Sequence, residues 1–362
     1  MATLQLPVVI SSDPAQLKLN QIASFPGFRA LAWQGEVLYA SRSYELLRAR
    51  ITGKERPVRW EHVSDFRPAW WRKITSRSGL AARLCRDGFH ALAILPSGEL
   101  IATLPKAIAT LSSGDQEFRV THRVSRGTRP LHFAVTRDGH IFWGEYFDNQ
   151  GRDEVYIYGS TDRGAHWHVA YTFPSKTIRH VHNIVYDESA NCLWVLTGDE
   201  GHECRIMRAS CDFSDVQIVL SGKQQIRSVA LIPTGDAVYF SSDTPLEQNH
   251  VYRLDRRGHL TTLAELGSSS ICGCQVGNAI FFSTMVEPSR ANFERKVSVW
   301  GSSDGRQFTE LPSWRKDAWP MRLFQYGNAF FPDGNNLSGL LAVTTVAVKH
   351  ADCETTLWRV SQ

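Results

Sequence analysis

The sequence predicts an all-β fold, a single seven-bladed β-propeller of four-stranded blades over residues 1–362, and three observations lead to it. Short runs of Val, Ile, Leu, Phe, Trp and Tyr, separated by Gly, Asp, Asn and Ser, recur from end to end, and helical periodicity is almost absent. A strand, turn, strand unit returns at a spacing of roughly 40 to 60 residues, which suits propeller blades. The last unit stops one strand short.

The repeat is clearest in its first two copies. The segment GFRALAW at 27–33 returns as GFHALAI at 88–94, and each copy is followed by a Gly-containing turn and a second apolar strand. Later units keep this form, and the first strands begin near positions 29, 90, 132, 182, 227, 271 and 322. Seven starts predict seven blades.

The N-terminal segment predicts how the ring closes. Leu4 to Ser11 has the pattern of a strand, but it precedes the first repeat unit and belongs to none of them. We therefore expect it to complete the seventh blade. Joining the first and last segments in one sheet removes the free edges that an open ring would leave. The alternative, two stacked β-domains, is disfavoured because no Pro/Gly/Ser-rich linker divides the chain.

Composition limits the classes of partner. The formal net charge of +4 is too small to indicate a sequence-independent grip on nucleic acid, and no apolar run is long enough for a membrane helix. The first residues lack a secretory signal pattern, so we expect a cytoplasmic protein with neither nucleic acid nor membrane as partner. Seven cysteines without a CxxC pair indicate reduced thiols and no zinc ribbon.

A turn motif lies between the third and fourth strands of the third unit, STDRGAHW at 160–167. A shortened relative, SSDGRQF, occupies 302–308, and Ser210 to Asp212 is a fainter trace. The motif resembles the SxDxGxxW Asp-box, or BNR repeat, of sialidase-like propellers. The Asp and Ser oxygens accept backbone N–H bonds and Gly takes a positive φ, so Asp162 and Asp304 are expected to shape turns on the face opposite the site.

That resemblance implies the fold and leaves the activity open, because Asp-boxes occur in enzymes and non-enzymes alike. No RIP-type arginine motif precedes the first strand, and seven blades differ from the six of sialidases. Neuraminidase activity is therefore not implied.

Charged residues recur where the strands would meet around the channel. Inner strands begin, and second strands end, on the same face of a propeller. The strand starts carry Arg29, His90, His132, His182, Arg227 and Arg322, with Ser270 or Cys272 in the remaining unit. The second strands end in Arg42, Glu145, Asp199, Glu200, Asp243 and Glu287. A buried core would avoid this pattern, because like charges around one axis repel and lose solvation, so it predicts a binding site.

Two histidines two residues apart form a second signal. His180 and His182 should point the same way on a strand, and His132 with Glu145 or Asp199 could join them to hold a divalent metal. Neutral imidazoles that bind substrate or relay protons fit equally well. We assign no metal ligand here, and the cofactor stays open.

Two insertions lengthen the loops that lead into inner strands. Trp70 and Trp71 lie in the first, before the second blade, and Trp319 lies in the other, before the seventh. Exposed indoles beside Arg and Lys suit stacking on sugar rings. The alternative is that they anchor the loops.

These residues favour a carbohydrate-active enzyme that acts on an acidic, uronate- or sialate-containing oligosaccharide or polysaccharide. As a lyase it would use His132 or His182 as general base, and as a hydrolase it would pair Glu145 with Asp199 or Asp243. The substrate-binding set would be Arg29, His90, Arg227, Arg322, His180, Asp243, Trp70, Trp71 and Trp319. The alternative is a non-catalytic propeller that binds a glycan or a protein. Oligomeric state is left open.

Overall fold

The computed structural model describes residues 17–52 and 58–361. Over these residues the strands form seven sheets around a central channel, which confirms the predicted seven-bladed propeller. Each sheet is covered on both faces by its neighbours near the channel, so its second strand is apolar on both sides, whereas the outermost strands are partly exposed. In the second strand of blade 4, Cys192–Gly198, every residue is buried.

Blades 1 to 4 contain the following strands, each from the inside outward. Blade 1 has β2 (Arg29–Gly35), β3 (Val37–Arg42), β4 (Glu45–Arg50) and β5 (Glu61–Asp65). Blade 2 has β6 (Leu92–Ile94), β7 (Leu100–Leu104), β8 (Ala107–Leu111) and β9 (Arg119–Arg123). Blade 3 has β10 (Ala134–Val135), β11 (Ile141–Gly144), β12 (Val155–Ser160) and β13 (His168–Phe173). Blade 4 has β14 (His180–Asp187), β15 (Cys192–Gly198), β16 (Arg205–Ala209) and β17 (Val216–Ser221).

The remaining blades and the helices complete the ring. Blade 5 has β18 (Ser228–Pro233), β19 (Ala237–Ser242), β20 (Asn249–Asp255) and β21 (Leu260–Leu266). Blade 6 has β22 (Ser270–Val276), β23 (Ala279–Thr284), β24 (Lys296–Ser302) and β25 (Thr309–Arg315). Blade 7 has β26 (Asn328–Phe330), β28 (Leu340–Val346), β29 (Glu354–Ser361) and β1 (Lys18–Pro26). The helices are α1 (Trp70–Thr75), α2 (Gly79–Cys85) and α3 (Met321–Phe324), with 3-10 turns at Gly201–Glu203 and Gln224–Ile226.

The core is distributed between the blades. In the described part of the chain, seven clusters of buried apolar side chains fill the seven interfaces between neighbouring sheets. Leu46 and Leu92 meet between blades 1 and 2, and Trp143 packs on blade 2 from blade 3. No helix within residues 17–52 and 58–361 combines the length and the apolar character needed to cross a bilayer.

The N-terminal strand closes the ring, as predicted. β1 pairs antiparallel with β29, from Lys18 opposite Ser361 to Pro26 opposite Glu354, and is the outermost strand of blade 7. The strand that does this is Lys18–Pro26, whereas the predicted strand, Leu4 to Ser11, lies outside the described residues.

The inner strand of blade 7 differs from the prediction. It begins at Asn328, and the expected start at Arg322 is wrong, because that residue lies exposed in α3. The chain then leaves blade 7 and forms β27 (Asp333–Asn336), which pairs parallel with β2 of blade 1. Gly334 permits this approach, since its φ of +87° is unfavourable for other residues and a Cβ there would clash with the Trp33 carbonyl.

The turns at 160–167 and 302–308 have the predicted hydrogen-bond geometry. Asp162 Oδ1 accepts from the Ser160 hydroxyl and from the His166 amide, both over 2.9 Å. Asp304 Oδ1 accepts from two successive amides in the same way. Both turns join third and fourth strands and lie on the face opposite the inner-strand starts, so their role is to hold local backbone.

Candidate functional site

Inner strands begin and second strands end on one face of the ring, which we call the mouth face. His180 opposite Gly198 and Arg29 opposite Ser41 illustrate this register. The polar residues on this face form two groups. The arginine cluster consists of Arg29, Arg86, His90, Arg129, His132 and Asp333. The histidine cluster consists of Arg179, His180, His182, Asp199 and Arg227.

Two guanidiniums dominate the arginine cluster. Arg29 lies over the Phe330 ring, 4.5 Å from its centroid, and its Nη2 is 3.2 Å from Nδ1 of His90. The Nε of Arg29 is buried and has no hydrogen-bond partner in the described residues. Arg129 donates from Nη1 to the carbonyl oxygen of Arg86 over 3.0 Å. In the part of the chain that the structure describes, neither Arg29 nor Arg129 forms an ion pair with a carboxylate.

The pKa shifts in this cluster arise from burial and, for Arg129 and His90, also from neighbouring positive charges. Burial lowers the pKa of Arg29. Burial, followed by the charges of Arg29 and Arg86, lowers the pKa of Arg129 to about 9. Burial and then Arg129 and Arg29 hold the pKa of His90 well below its ordinary value, so neutral His90 can accept from Arg29. An anion placed between the guanidiniums would relieve this repulsion.

His132 lines the channel and pairs with Asp333, Nδ1 to Oδ2, at 3.2 Å. Burial lowers the pKa of His132, but the Asp333 carboxylate outweighs burial and the net shift is upward. The channel here has a volume of about 880 Å³ and is lined by the inner strands. His132 therefore does not join His180 and His182, contrary to the prediction.

The two neighbouring histidines converge, as predicted. Nε2 of His180 and Nε2 of His182 are 3.1 Å apart, and Asp199 Oδ1 lies 3.5 Å from the first and 3.2 Å from the second. Nδ1 of His180 is 2.9 Å from the Phe147 carbonyl oxygen. Gly198 leaves room for the second imidazole, because a Cβ there would lie 2.8 Å from Cε1 of His182.

Asp199 is the acceptor at the centre of the histidine cluster. Arg179 Nη1 lies 3.1 Å from its Oδ2, and Arg227 Nη2 lies 3.2 Å from its Oδ1. Burial alone would raise the pKa of Asp199, but its contacts with the His180 and His182 rings outweigh burial and hold the pKa far below its usual range. Asp199 is therefore ionised at neutral pH.

Two further carboxyl groups flank Arg227. Asp243 Oδ2 lies 3.5 Å from Arg227 Nη2, and burial, opposed by Arg227, raises the pKa of Asp243 to about 7. Burial also raises the pKa of Glu287. The carboxyl groups near Arg227 therefore differ in protonation, with Asp199 ionised and Asp243 about half protonated at neutral pH.

Glu145 does not reach either cluster. Both carboxylate oxygens bind Arg126, with Oε1 2.9 Å from Nε, and Oε2 also accepts from the Tyr156 amide over 2.9 Å. The residue is 2% exposed. Glu145 therefore does not join His180 and His182, because Arg126 takes up its carboxylate, and its catalytic role stays a prediction.

The indole side chains stand on the mouth face in the two insertions, as expected. Trp70 is 75% exposed, Trp319 49% and Trp71 40%. α1 packs on α2, and α2 packs on α3. Buried Arg83 of α2 binds Asp317 of the second insertion and Asp352 of blade 7. The insertions thus form one small helical layer. Trp71 is covered on one face by Arg72 and Trp319 packs beside Phe324, whereas Trp70 is the most exposed of the three.

Several residues of the site were missed in the sequence. Arg129 lies three positions before His132, and Arg179 directly precedes His180, so both could have been found by reading just before each inner strand. Asp333 could not have been found from the sequence, because its position in the channel depends on β27 leaving blade 7 and pairing with β2 of blade 1.

Comparisons with known proteins support the fold alone. No family model and no curated protein matches the sequence. A chain of a mitotic checkpoint complex crystal structure is similar with a TM-score of 0.58 and 10% identity over 100% of both chains. The WD40 β-propeller domain of Doa1 is similar with a TM-score of 0.57 and 12% identity, over 96% of this chain and 98% of that one. The structure and these similarities agree on a seven-bladed β-propeller, and no family match supports the sialidase-like resemblance of the turns at 160–167 and 302–308.

Proposed function

We propose that this propeller binds an acidic oligosaccharide at the mouth of its channel, with the arginine cluster holding a carboxylate. One observation carries the proposal: neither Arg29 nor Arg129 forms an ion pair with a carboxylate among the described residues, and burial together with the charges of Arg29 and Arg86 lowers the pKa of Arg129 to about 9. A carboxylate would accept charge-assisted hydrogen bonds from both guanidiniums, including the buried Nε of Arg29.

The surroundings of the cluster suit a sugar. The channel of about 880 Å³ falls in the range of small-molecule sites. Trp70, Trp71 and Trp319 are exposed on the same face and offer flat apolar rings beside basic side chains, the surface that stacks on the faces of sugar rings. Together they favour a carboxylate-bearing glycan over a small inorganic anion.

Binding without catalysis fits the geometry better than the lyase or hydrolase mechanisms. Glu145, the expected carboxylate of a hydrolase, is fully engaged by Arg126. His132, an expected base, has a raised pKa because of Asp333, so its neutral form is disfavoured. His182 is buried and both its ring nitrogens have partners.

One observation favours a second candidate, an enzyme that acts on the same ligand. Asp243, with a pKa of about 7, and ionised Asp199 flank the same guanidinium, and a split of this kind marks acid and base pairs in many active sites. Incubation with oligogalacturonate, followed for reducing ends and for unsaturated-uronate absorbance, tests it. Turnover in the parent protein that is lost in Asp243→Asn would establish the enzyme.

Isothermal titration of the purified protein with tetragalacturonate, and with neutral maltotetraose, tests the binding proposal. We expect binding of the acidic sugar alone, and a loss of about 10- to 100-fold in affinity for Arg29→Gln and for Arg129→Gln. Arg257→Gln, an exposed arginine in the β20–β21 turn on the opposite face, is the control and should bind like the parent. Equal binding of both sugars, or unchanged affinity in both cluster variants, would refute the proposal.

A further inference from the structure

The two histidines of the histidine cluster have fixed tautomers. Nδ1 of His180 lies 2.9 Å from the Phe147 carbonyl oxygen, and Nδ1 of His182 lies 2.9 Å from the Ser228 carbonyl oxygen. A carbonyl oxygen only accepts, so each Nδ1 carries a hydrogen and donates it. In the neutral imidazoles, both Nε2 atoms therefore present a lone pair.

Three electron-pair donors consequently face one another. The two Nε2 atoms are 3.1 Å apart, and Asp199 Oδ1 lies 3.2 and 3.5 Å from them. All three atoms would repel without a shared positive centre. A single proton on one Nε2 can form a well-aligned hydrogen bond to only one of the other two atoms. At least one of the three short contacts then still joins two lone pairs.

We propose that His180, His182 and Asp199 bind a divalent transition metal ion of the Zn²⁺ type. A tetrahedral ion with bonds of about 2.0 to 2.1 Å holds its ligand atoms about 3.3 to 3.4 Å apart. The three observed separations, 3.1, 3.2 and 3.5 Å, bracket that value. Imidazole nitrogen and carboxylate oxygen are suitable ligands for such an ion.

The residues around the cluster support its three ligands. Backbone carbonyls orient both imidazoles through Nδ1, the arrangement found around metal-binding histidines. Arg179 holds Asp199 through Oδ2, which leaves Oδ1 toward the imidazoles. Arg227 also contacts Oδ1, but Asp243, 3.5 Å away, is a second partner to which it can turn when Oδ1 binds the ion. This inference does not rest on the proposed sugar binding.

Metal titration of the tag-free, EDTA-treated protein tests the proposal. Calorimetry with ZnCl2 should give one tight site per chain, and CoCl2 should give the intense visible bands of a tetrahedral site without thiolate charge transfer. Asp199→Asn should weaken binding by about 10- to 100-fold or more, and His180→Ala should abolish it. His250→Ala, which removes a histidine outside the cluster, should bind like the parent.

Asp199→Asn keeps the shape of the side chain, so it decides the result if His180→Ala does not fold by circular dichroism. The absence of a one-to-one site in the parent would overturn the proposal and leave a shared proton as the positive centre. Full-strength binding in Asp199→Asn would equally overturn it, because the ion would then lie elsewhere, for example on cysteine.

Discussion

Arg129→Gln should stabilise the free protein while it weakens binding of the acidic ligand. Burial and the charges of Arg29 and Arg86 lower the pKa of Arg129 from 12.5 to about 9, which at about 1.36 kcal/mol per pKa unit corresponds to roughly 4 to 5 kcal/mol of unfavourable interaction. Partial solvent access reduces this figure, and the substitution also removes the charged hydrogen bond to the Arg86 carbonyl, worth about 1.5 to 3 kcal/mol. We expect a net gain of about 1 to 2 kcal/mol.

Calorimetry and urea denaturation measure this gain. For a chain of this length it corresponds to a rise in Tm of about 1 to 3 °C. The pKa of Arg129 is lower in the folded than in the unfolded state, so the parent protein becomes more stable as pH rises above about 9, where folded Arg129 loses its proton. The advantage of Arg129→Gln should therefore shrink between pH 7 and pH 10.

Arg257→Gln, on the opposite face, is the control and should change stability by less than about 0.5 kcal/mol. A loss of stability in Arg129→Gln, or a gain that does not depend on pH, would show that Arg129 is compensated within the protein. The need for an anionic ligand would then disappear.

Three further predictions follow from the fold. Asp162→Ala removes hydrogen bonds within its turn, so it should lower the free energy of unfolding by about 1 to 3 kcal/mol with unchanged ligand affinity. Asp138→Ala, in another exposed turn, should have little effect. Equal effects of the two substitutions on urea unfolding would contradict the turn role of Asp162. Arg83→Ala removes the buried cation between Asp317 and Asp352, although Asp317 keeps Lys316, and should cost about 3 kcal/mol, with faster amide exchange in α2 and α3 than in Arg77→Ala at an exposed site. Gly334→Ala should displace β27 and lower Tm, and an unchanged melting curve would argue against that close approach.

The fold was largely readable from the sequence because each blade repeats one pattern of two apolar strands around a turn. Closure by an N-terminal strand was also predictable, since the last unit lacks a strand. Which segment supplies that strand was not predictable. Apolar and polar residues alternate less clearly in Lys18–Pro26 than in the apolar run before it, and its pairing with β29 is a long-range contact. The predicted strand start at Arg322 was wrong for a local reason. The carbonyl oxygen of Pro320, two residues earlier, accepts hydrogen bonds from the amides of Leu323 and Phe324, so this segment forms a helical turn.

The site was predictable where it follows from strand phase. Arg29, His90, His180 and His182 lie at inner-strand starts, and blade symmetry brings them to one face. Glu145 follows the end of a second strand and so lies at the same face, but it is paired with Arg126. Arg126 lies in a loop, and the repeat does not predict where a loop side chain points. Arg129 reaches the site in the same way, from a loop.

A crystal structure of the protein with tetragalacturonate tests the central claim most directly. Our account predicts one carboxylate of the ligand within about 2.7 to 3.2 Å of nitrogens of both Arg29 and Arg129, with a sugar ring toward the exposed tryptophans. A ligand bound elsewhere on the ring, such as the groove lined by Arg315, Lys316 and Lys349, with the arginine cluster unchanged, would contradict it.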